Sequence, residues 1–211
     1  MQANNLFPLA KEGWKYLGIT SLVLVLALVV DLDFLAFFVF VSLLFIAYAF
    51  RNPERELSQF ENASLLSPVD GVVENILVLE DSIYAYKIEI QSNYTDVAIL
   101  RAPANVSLKK IIKTHGTRLS STSKLFENLN ENVVLEFLTQ EENSFKVIHT
   151  LKKSFAPLFV SLIEEQKLFQ TTRYGLMLNG ITAIYVPHNF RMDIAVGREL
   201  KAAESLMGYF S

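Results

Sequence analysis

The chain has 211 residues, 51% of them hydrophobic, and a formal net charge of −3 from 19 basic and 22 acidic side chains. It holds no cysteine, which excludes disulfides, thiolate metal sites and a cysteine nucleophile. The charge balance excludes a generally basic nucleic-acid surface, and a mean hydropathy of +0.30 directs attention first to membrane segments.

From Tyr16 to Phe50 there is no Lys or Arg. Within that stretch "YLGITSLVLVLALVV" is interrupted by "DLD" and resumes as "FLAFFVFVSLLFIAYAF". Each half is about 15–17 residues, roughly 25 Å as helix, slightly short of a ~30 Å hydrocarbon core. Lys11 and Lys15 snorkelling outward, with Trp14 and Tyr16 at the interface, lengthen the first span. Asp31 and Asp33 are costly at mid-bilayer but suit a turn in water. The pattern predicts a two-helix transmembrane hairpin within residues 1–50, with spans at about 14–30 and 34–50. Lys11, Lys15, Arg51 and Arg55 flank its outer ends, which predicts both termini in the cytoplasm and an integral membrane protein (of the inner membrane, in a bacterium). The alternative is one span, Phe34 to Phe50, with the first apolar run packed elsewhere.

Residues 51–211 read as a separate β domain. "YAYKIEI", "NVVLEFL", "SFKVIHTL" and "GITAIYVP" are short β-rich runs, most of them alternating apolar and polar residues. "SPVDG", "RAPAN", "THG", "VPHN" and "AVG" are turn signals. "FAPLFVSLIEEQKLF" fits a helix or a longer buried strand. "MDIAVGRELKAAESLM" has the look of the closing hairpin of a lipoyl-like barrel-sandwich. The expected fold is mainly β and barrel-sandwich-like.

Taken in chain order, several pieces resemble the phosphatidylserine decarboxylases of the short, membrane-anchored type. "FRNPERE" is similar to that family's Phe-Arg-Asp-Pro-x-Arg, with Asn52 in place of the acid. "SPVDGVV" is similar to Ser-Pro-x-Asp-Gly, and "DVAILRAP" to Asp-Val-His-x-x-Arg-Ala-Pro. "NEN" at 130–132 echoes Asn-Glu-Arg-Asn, "RYGLMLNG" resembles Arg-Phe-Gly-Leu-Ile-Arg-Phe-Gly, and "VGRELKAAES" the closing Val-Gly-x-x-Val-x-Ala-Gly-Glu. The resemblance implies a self-cleaving proenzyme in which an acid, a histidine and a serine cooperate. The serine attacks the preceding glycine carbonyl, and the ester eliminates to a pyruvoyl group. That group condenses with the amine of phosphatidylserine and acts as electron sink for loss of carbon dioxide.

Carried over residue by residue, Asp70 matches the family acid, or else stabilises the turn before Gly71. The histidine falls on Ala98 and the serine on Ile181, so the former cleavage junction is Gly180-Ile181. A methyl and a sec-butyl group supply neither base nor nucleophile. Thr182 follows, but its elimination would give a ketobutyryl group; Ser161 and Ser205 are distant in sequence. His115, His149 and His188 lack metal-ligand spacing and read as surface or core residues, so no metal is expected. "LKKIIK", Arg118 and Lys152-Lys153 form a candidate basic face, solvated or touching anionic headgroups.

The expectation is a decarboxylase-related protein without activity and without a pyruvoyl cofactor, binding membrane phospholipid or a protein partner in lipid synthesis, and no nucleic acid. The alternatives are an active phosphatidylserine decarboxylase using another group in place of the serine, and a barrel-sandwich adaptor in a membrane assembly.

Overall fold

The computed structural model describes residues 8–55, 63–80 and 83–211. It divides into two compact units, at residues 54 and 55. In the first unit a short 3-10 turn, Lys11–Gly13, leads into α1 (Trp14–Val29), and α2 (Asp33–Ala49) follows. The run Lys11–Val29 is long and apolar enough to cross a membrane; α2 is apolar but shorter than that run. Both helices are apolar all round, and most of their large side chains stand exposed, as in Val29 (74%) and Phe34 (79%). The connection between them needs a left-handed residue, supplied by Asp31 at φ 54°, a conformation Asp tolerates. At the opposite end the Ala10 N–H donates to the Phe50 carbonyl (2.8 Å) and the Asn52 N–H to that of Pro8 (2.7 Å). Tyr16 stacks on Phe50 there, and Gly13 leaves the room that Phe50 fills.

The described residues of the second unit form fourteen strands: β1 (Ser64–Leu66), β2 (Gly71–Val78), β3 (Tyr86–Ser92), β4 (Ile99–Arg101), β5 (Val106–Thr114), β6 (Asn132–Thr139), β7 (Ser144–Leu151), β8 (Phe159–Val160), β9 (Lys167–Leu168), β10 (Arg173–Leu176), β11 (Gly180–Val186), β12 (Phe190–Met192), β13 (Glu199–Leu200) and β14 (Leu206–Phe210). A one-turn helix, α3 (Phe126–Leu129), precedes β6. An eight-stranded sheet runs β13-β2-β3-β11-β7-β6-β5-β9, and two three-stranded sheets run β1-β14-β12 and β4-β10-β8. Strict alternation along β6 and β7 puts Val133, Leu135, Phe137, Phe145 and Val147 on one buried face. That face meets the small sheets through Phe137 against Tyr174 and Phe145 against Phe210.

The expectation of a mainly β domain holds, but the barrel does not close. The ends of the large sheet are β13 and β9, two residues each, and they pair with β2 and β5 rather than with one another. The closing segment brings its two ends together as an antiparallel pair, β12 with β14, while its middle strand β13 leaves for β2. "FAPLFVSLIEEQKLF" is neither helix nor long strand. It yields only β8 and β9, around a turn closed from Gln166 N–H to the Ile163 carbonyl (3.2 Å). Two short pairings to different sheets replace one continuous element there.

One position fixes how closely β2 meets β3. A Cβ on Gly71 would lie 2.3 Å from the Gln91 carbonyl oxygen, against backbone that cannot swing aside. Gly71→Ala is therefore expected to lower the unfolding free energy by about 2–3 kcal/mol. Chemical denaturation of the two proteins checks this, and an unchanged midpoint would mean the strands separate freely.

Candidate functional site

The turn before β2 is built by its own side chains. Ser67 Oγ donates to the Val69 carbonyl (2.7 Å), and the Ser67 N–H donates to that of Ser205 (2.9 Å). This holds Asp70 at 9% exposure between the closing segment and β3. Both its carboxylate oxygens are engaged: Oδ1 accepts the Ala202 N–H (2.7 Å) and Oδ2 accepts Arg55 Nη2 (2.6 Å). Arg55 also donates from Nη1 to Glu204 (3.2 Å). The Asp70 carbonyl accepts Ser92 Oγ (2.6 Å).

Ser92 is the residue paired with Gly180, so Asp70 is one hydrogen-bonded step from the junction. Gly180 and Ile181 open β11 and are paired on both sides, with Ser92 and Gln91 of β3 and with Leu151 and Thr150 of β7. A Cβ on Gly180 would lie 2.5 Å from both the Thr150 carbonyl oxygen and Met177 Sδ. Ala98, 4% exposed, accepts the Met177 N–H on its carbonyl (2.8 Å). The structure thus gathers positions 70, 98 and 180–181 at one end of the large sheet. The Asp70 carboxylate, however, is taken up by Arg55 and Ala202.

Ile181 faces away from the core, into a groove of about 650 Å³ whose lining includes Lys87, Glu89, Phe126, Thr150 and Tyr185. Burial opposes the charge of Lys87, but Glu89 (2.7 Å), with Tyr185 and Glu127, outweighs it and holds the pKa above the usual lysine value. Lys152, expected on a basic face with Lys153, is instead 8% exposed, its N–H donating to the Asn179 carbonyl (2.9 Å). Burial lowers its pKa, against the pull of Glu74. The "NEN" motif is a brace. Asn130, fully buried, accepts the Leu119 N–H (3.0 Å) and donates to the carbonyls of Leu119 (3.0 Å) and Leu151 (2.7 Å).

The core face of β11 carries what sequence reasoning missed. Thr182 lies directly opposite His149. Thr182 Oγ1 is 2.8 Å from His149 Nδ1, and Tyr174 Oη is 2.7 Å from Nε2. His149 and Thr182 are wholly buried and Tyr174 nearly so. Burial pushes the His149 pKa down to about 3 and raises that of Tyr174, so both are neutral at pH 7. Only the register of two strands distant in sequence could have revealed the contact. His115 and His188 are exposed, and among the described residues no group of acidic and histidine side chains is placed to hold a metal.

A family model described as phosphatidylserine decarboxylase matches residues 43–208. Among curated relatives named phosphatidylserine decarboxylase proenzyme, that of Desulfotalea psychrophila is 30% identical over 212 residues, covering 95% of this chain and 96% of the relative. That of Geobacter sulfurreducens is 30% identical over 217 residues, with 95% and 96% covered. That of Geotalea uraniireducens is 26% identical over 211 residues, with the same coverage.

The buried imidazole sets a pH dependence. Its folded pKa of about 3 lies below the unfolded 6.5, so the unfolded state binds more protons between them and stability falls as pH drops through that window. Between pH 6.5 and 5 the loss expected from this group is about 2 kcal/mol. His149→Asn should be less stable at pH 7 but lose this part of the slope. Denaturation series at both pH values decide it, and identical slopes for the two proteins would remove the assignment.

Proposed function

Because the chain belongs to the phosphatidylserine decarboxylase family, we propose that it is a membrane-anchored member that has given up catalysis and binds a phospholipid headgroup or a partner of lipid synthesis. The observation that carries this reading is the junction itself. Position 181 offers a sec-butyl group and position 98 a methyl. Self-cleavage needs a hydroxyl to attack the Gly180 carbonyl and a base to take its proton. Neither residue fits the making of a pyruvoyl group, so the electrophile that would hold and decarboxylate an amino lipid does not form. What remains is the groove beside Ile181, with an apolar wall and the Lys87–Glu89 pair, suited to a ligand that is part charged and part apolar.

In this reading α1 and α2 both cross the bilayer. Asp31 and Asp33 lie in water on the far side, and Lys11, Lys15 and Arg51 lie in the cytoplasm with the β domain. The exposed apolar surface of both helices supports it.

A second reading keeps an enzyme, and one contact favours it. His149 sits 2.8 Å from the Thr182 hydroxyl, one residue past the junction. A neutral imidazole there is a base in reach of a nucleophile, and attack on the Ile181 carbonyl would cut the chain before Thr182. Complete burial of the pair away from water stands against it.

The intact mass of the purified chain under denaturing conditions separates the two. A single species near 23.9 kDa is expected. A fragment beginning at 181 or 182 that reacts with carbonyl reagents would overturn the non-catalytic reading. Headgroup binding is tested on the same material by thermal unfolding in detergent with added short-chain phosphatidylserine or phosphatidylethanolamine. Saturation at a hundredfold excess over the dissociation constant stabilises by about 2.7 kcal/mol. An unmoved midpoint with every phospholipid headgroup removes the lipid and leaves the protein partner.

A further inference from the structure

The outer groove is roofed by a piece of the chain that the sheet barely holds. Between β5 and β6 the backbone makes an excursion whose ends meet. The Thr117 N–H donates to the Leu129 carbonyl (2.7 Å), and the Glu131 N–H donates to that of Thr117 (2.9 Å). The Asn130 side chain stitches the same base to the carbonyls of Leu119 and of Leu151 on β7. Joined at its base and packed on itself, the excursion is an Ω-loop.

Its tip is tied to itself. Among the described residues, every hydrogen bond of residues 120–128 stays within the loop, as from the Ser123 N–H to the Ser120 carbonyl and from the Phe126 N–H to that of Ser123 (both 3.0 Å). Two features seat this tip on the sheet. Glu127 lies 3.6 Å from Lys87, which Glu89 already holds at 2.7 Å, and the Glu127 side chain is 77% exposed. Phe126 is the other: it is 7% exposed, while Leu125 and Leu129 beside it are 52% and 46% exposed.

The Phe126 ring is no part of the core beneath the sheet. It lines the groove together with Val134, Ile148, Ile181 and Ala183 of the outer face. Ala183 shares the outward side of β11 with Ile181 and Tyr185, yet only 9% of it is exposed, as a floor beneath a roof requires. Burying one phenyl group favours the seated tip by roughly ten- to a hundredfold, and an ion pair this exposed adds about fivefold at most. One side chain therefore carries most of the closure.

We propose that residues 120–128 are a lid and Phe126 its plug: the seated ring closes the groove beside Ile181, and lifting about the base at Thr117 and Glu131 opens it to a ligand. The space that a phenyl ring fills suits an apolar group, so the part of a ligand that replaces the plug is hydrocarbon. The inference rests on the groove being the ligand site proposed above.

The chain holds no cysteine, so Ala183→Cys in the full chain, purified in detergent, supplies a single thiol under the lid. Its reaction with a maleimide is expected to be slower than that of a free thiol and faster than global unfolding allows. Adding Phe126→Ala should speed it roughly ten- to a hundredfold, and Glu127→Gln about fivefold at most, an effect that salt removes. Phe126→Leu should fall between and decides the case where the alanine variant does not fold. Equal rates in all these proteins, or a parent rate no faster than global unfolding, overturn the lid. A parent thiol that reacts as freely as one in solution overturns it too, since nothing then covers the floor. The ligand is tested on Trp14→Phe, Phe126→Trp, whose one indole takes the plug's place. Short-chain phosphatidylethanolamine or phosphatidylserine entering the groove should lift the indole and raise its quenching by acrylamide. A lid that opens in the thiol assay, with an indole that neither lipid moves, keeps the lid and removes the headgroup from the groove. A lipid that raises the thermal midpoint while the indole stays shielded enters by another path and overturns the lid.

Discussion

The geometry of the site follows from β11 being an inner strand. It is bonded along most of its length to β3 on one side and β7 on the other. Two consequences follow without further assumption. Its side chains alternate strictly, so Ile181 and Tyr185 belong to the outer groove while Thr182 and Ile184 belong to the core. Its neighbours also crowd its first residue, so that only glycine fits at 180 between the Thr150 carbonyl and the Met177 sulfur. Gly180 and Ile181 are therefore fixed in place by the sheet rather than by a loop that could adapt to a ligand.

Asp70 shows how the same residue type serves structure where chemistry is in question. A carboxylate that receives an arginine on one oxygen and a backbone N–H on the other is held in a fixed orientation. Its pair with Arg55 is nine-tenths covered, and removing one partner of a buried pair typically costs 3–5 kcal/mol. Arg55 comes from the resemblance's first motif, Asp70 from its second and Glu204 from its last. Three motifs far apart in sequence thus meet in one ionic cluster. Such motifs can persist for architecture alone, and their presence by itself says little about turnover.

Much of this was legible in the chain. The apolar stretch from Tyr16 to Phe50 gives two helices at nearly the boundaries its hydropathy suggests, because Asp-Leu-Asp is a strong break in an otherwise unbroken run. The four alternating segments are β3, β6, β7 and β11, since a sheet with one buried face writes its period directly into the sequence. Pairing between distant strands was not legible. Periodicity shows which face of β7 and β11 is buried, but not that His149 stands across from Thr182. The same blindness placed Lys152, which is buried, on a candidate basic face, and hid that the edges of the large sheet do not pair with one another. Residues 155–169 misled for another reason. Their apolar content serves two separate sheets, so neither period is completed.

Isoleucine suits position 181 of the strand better than a serine would. A β-branched side chain loses little on entering an extended conformation, and Ile181 gains contacts from Thr150 on one side and Gln91 on the other. Self-cleavage asks the opposite of the same place: a small polar side chain, a strained carbonyl, and a strand that comes apart at its first residue. A site built for that stores instability, and losing the chemistry releases it. On the non-catalytic reading, Ile181 and Ala98 are the expected products of one relaxation. Once no hydroxyl must be activated, the pairing of β11 favours a β-branched residue, and the tightly enclosed position beside Met177 favours a methyl over an imidazole.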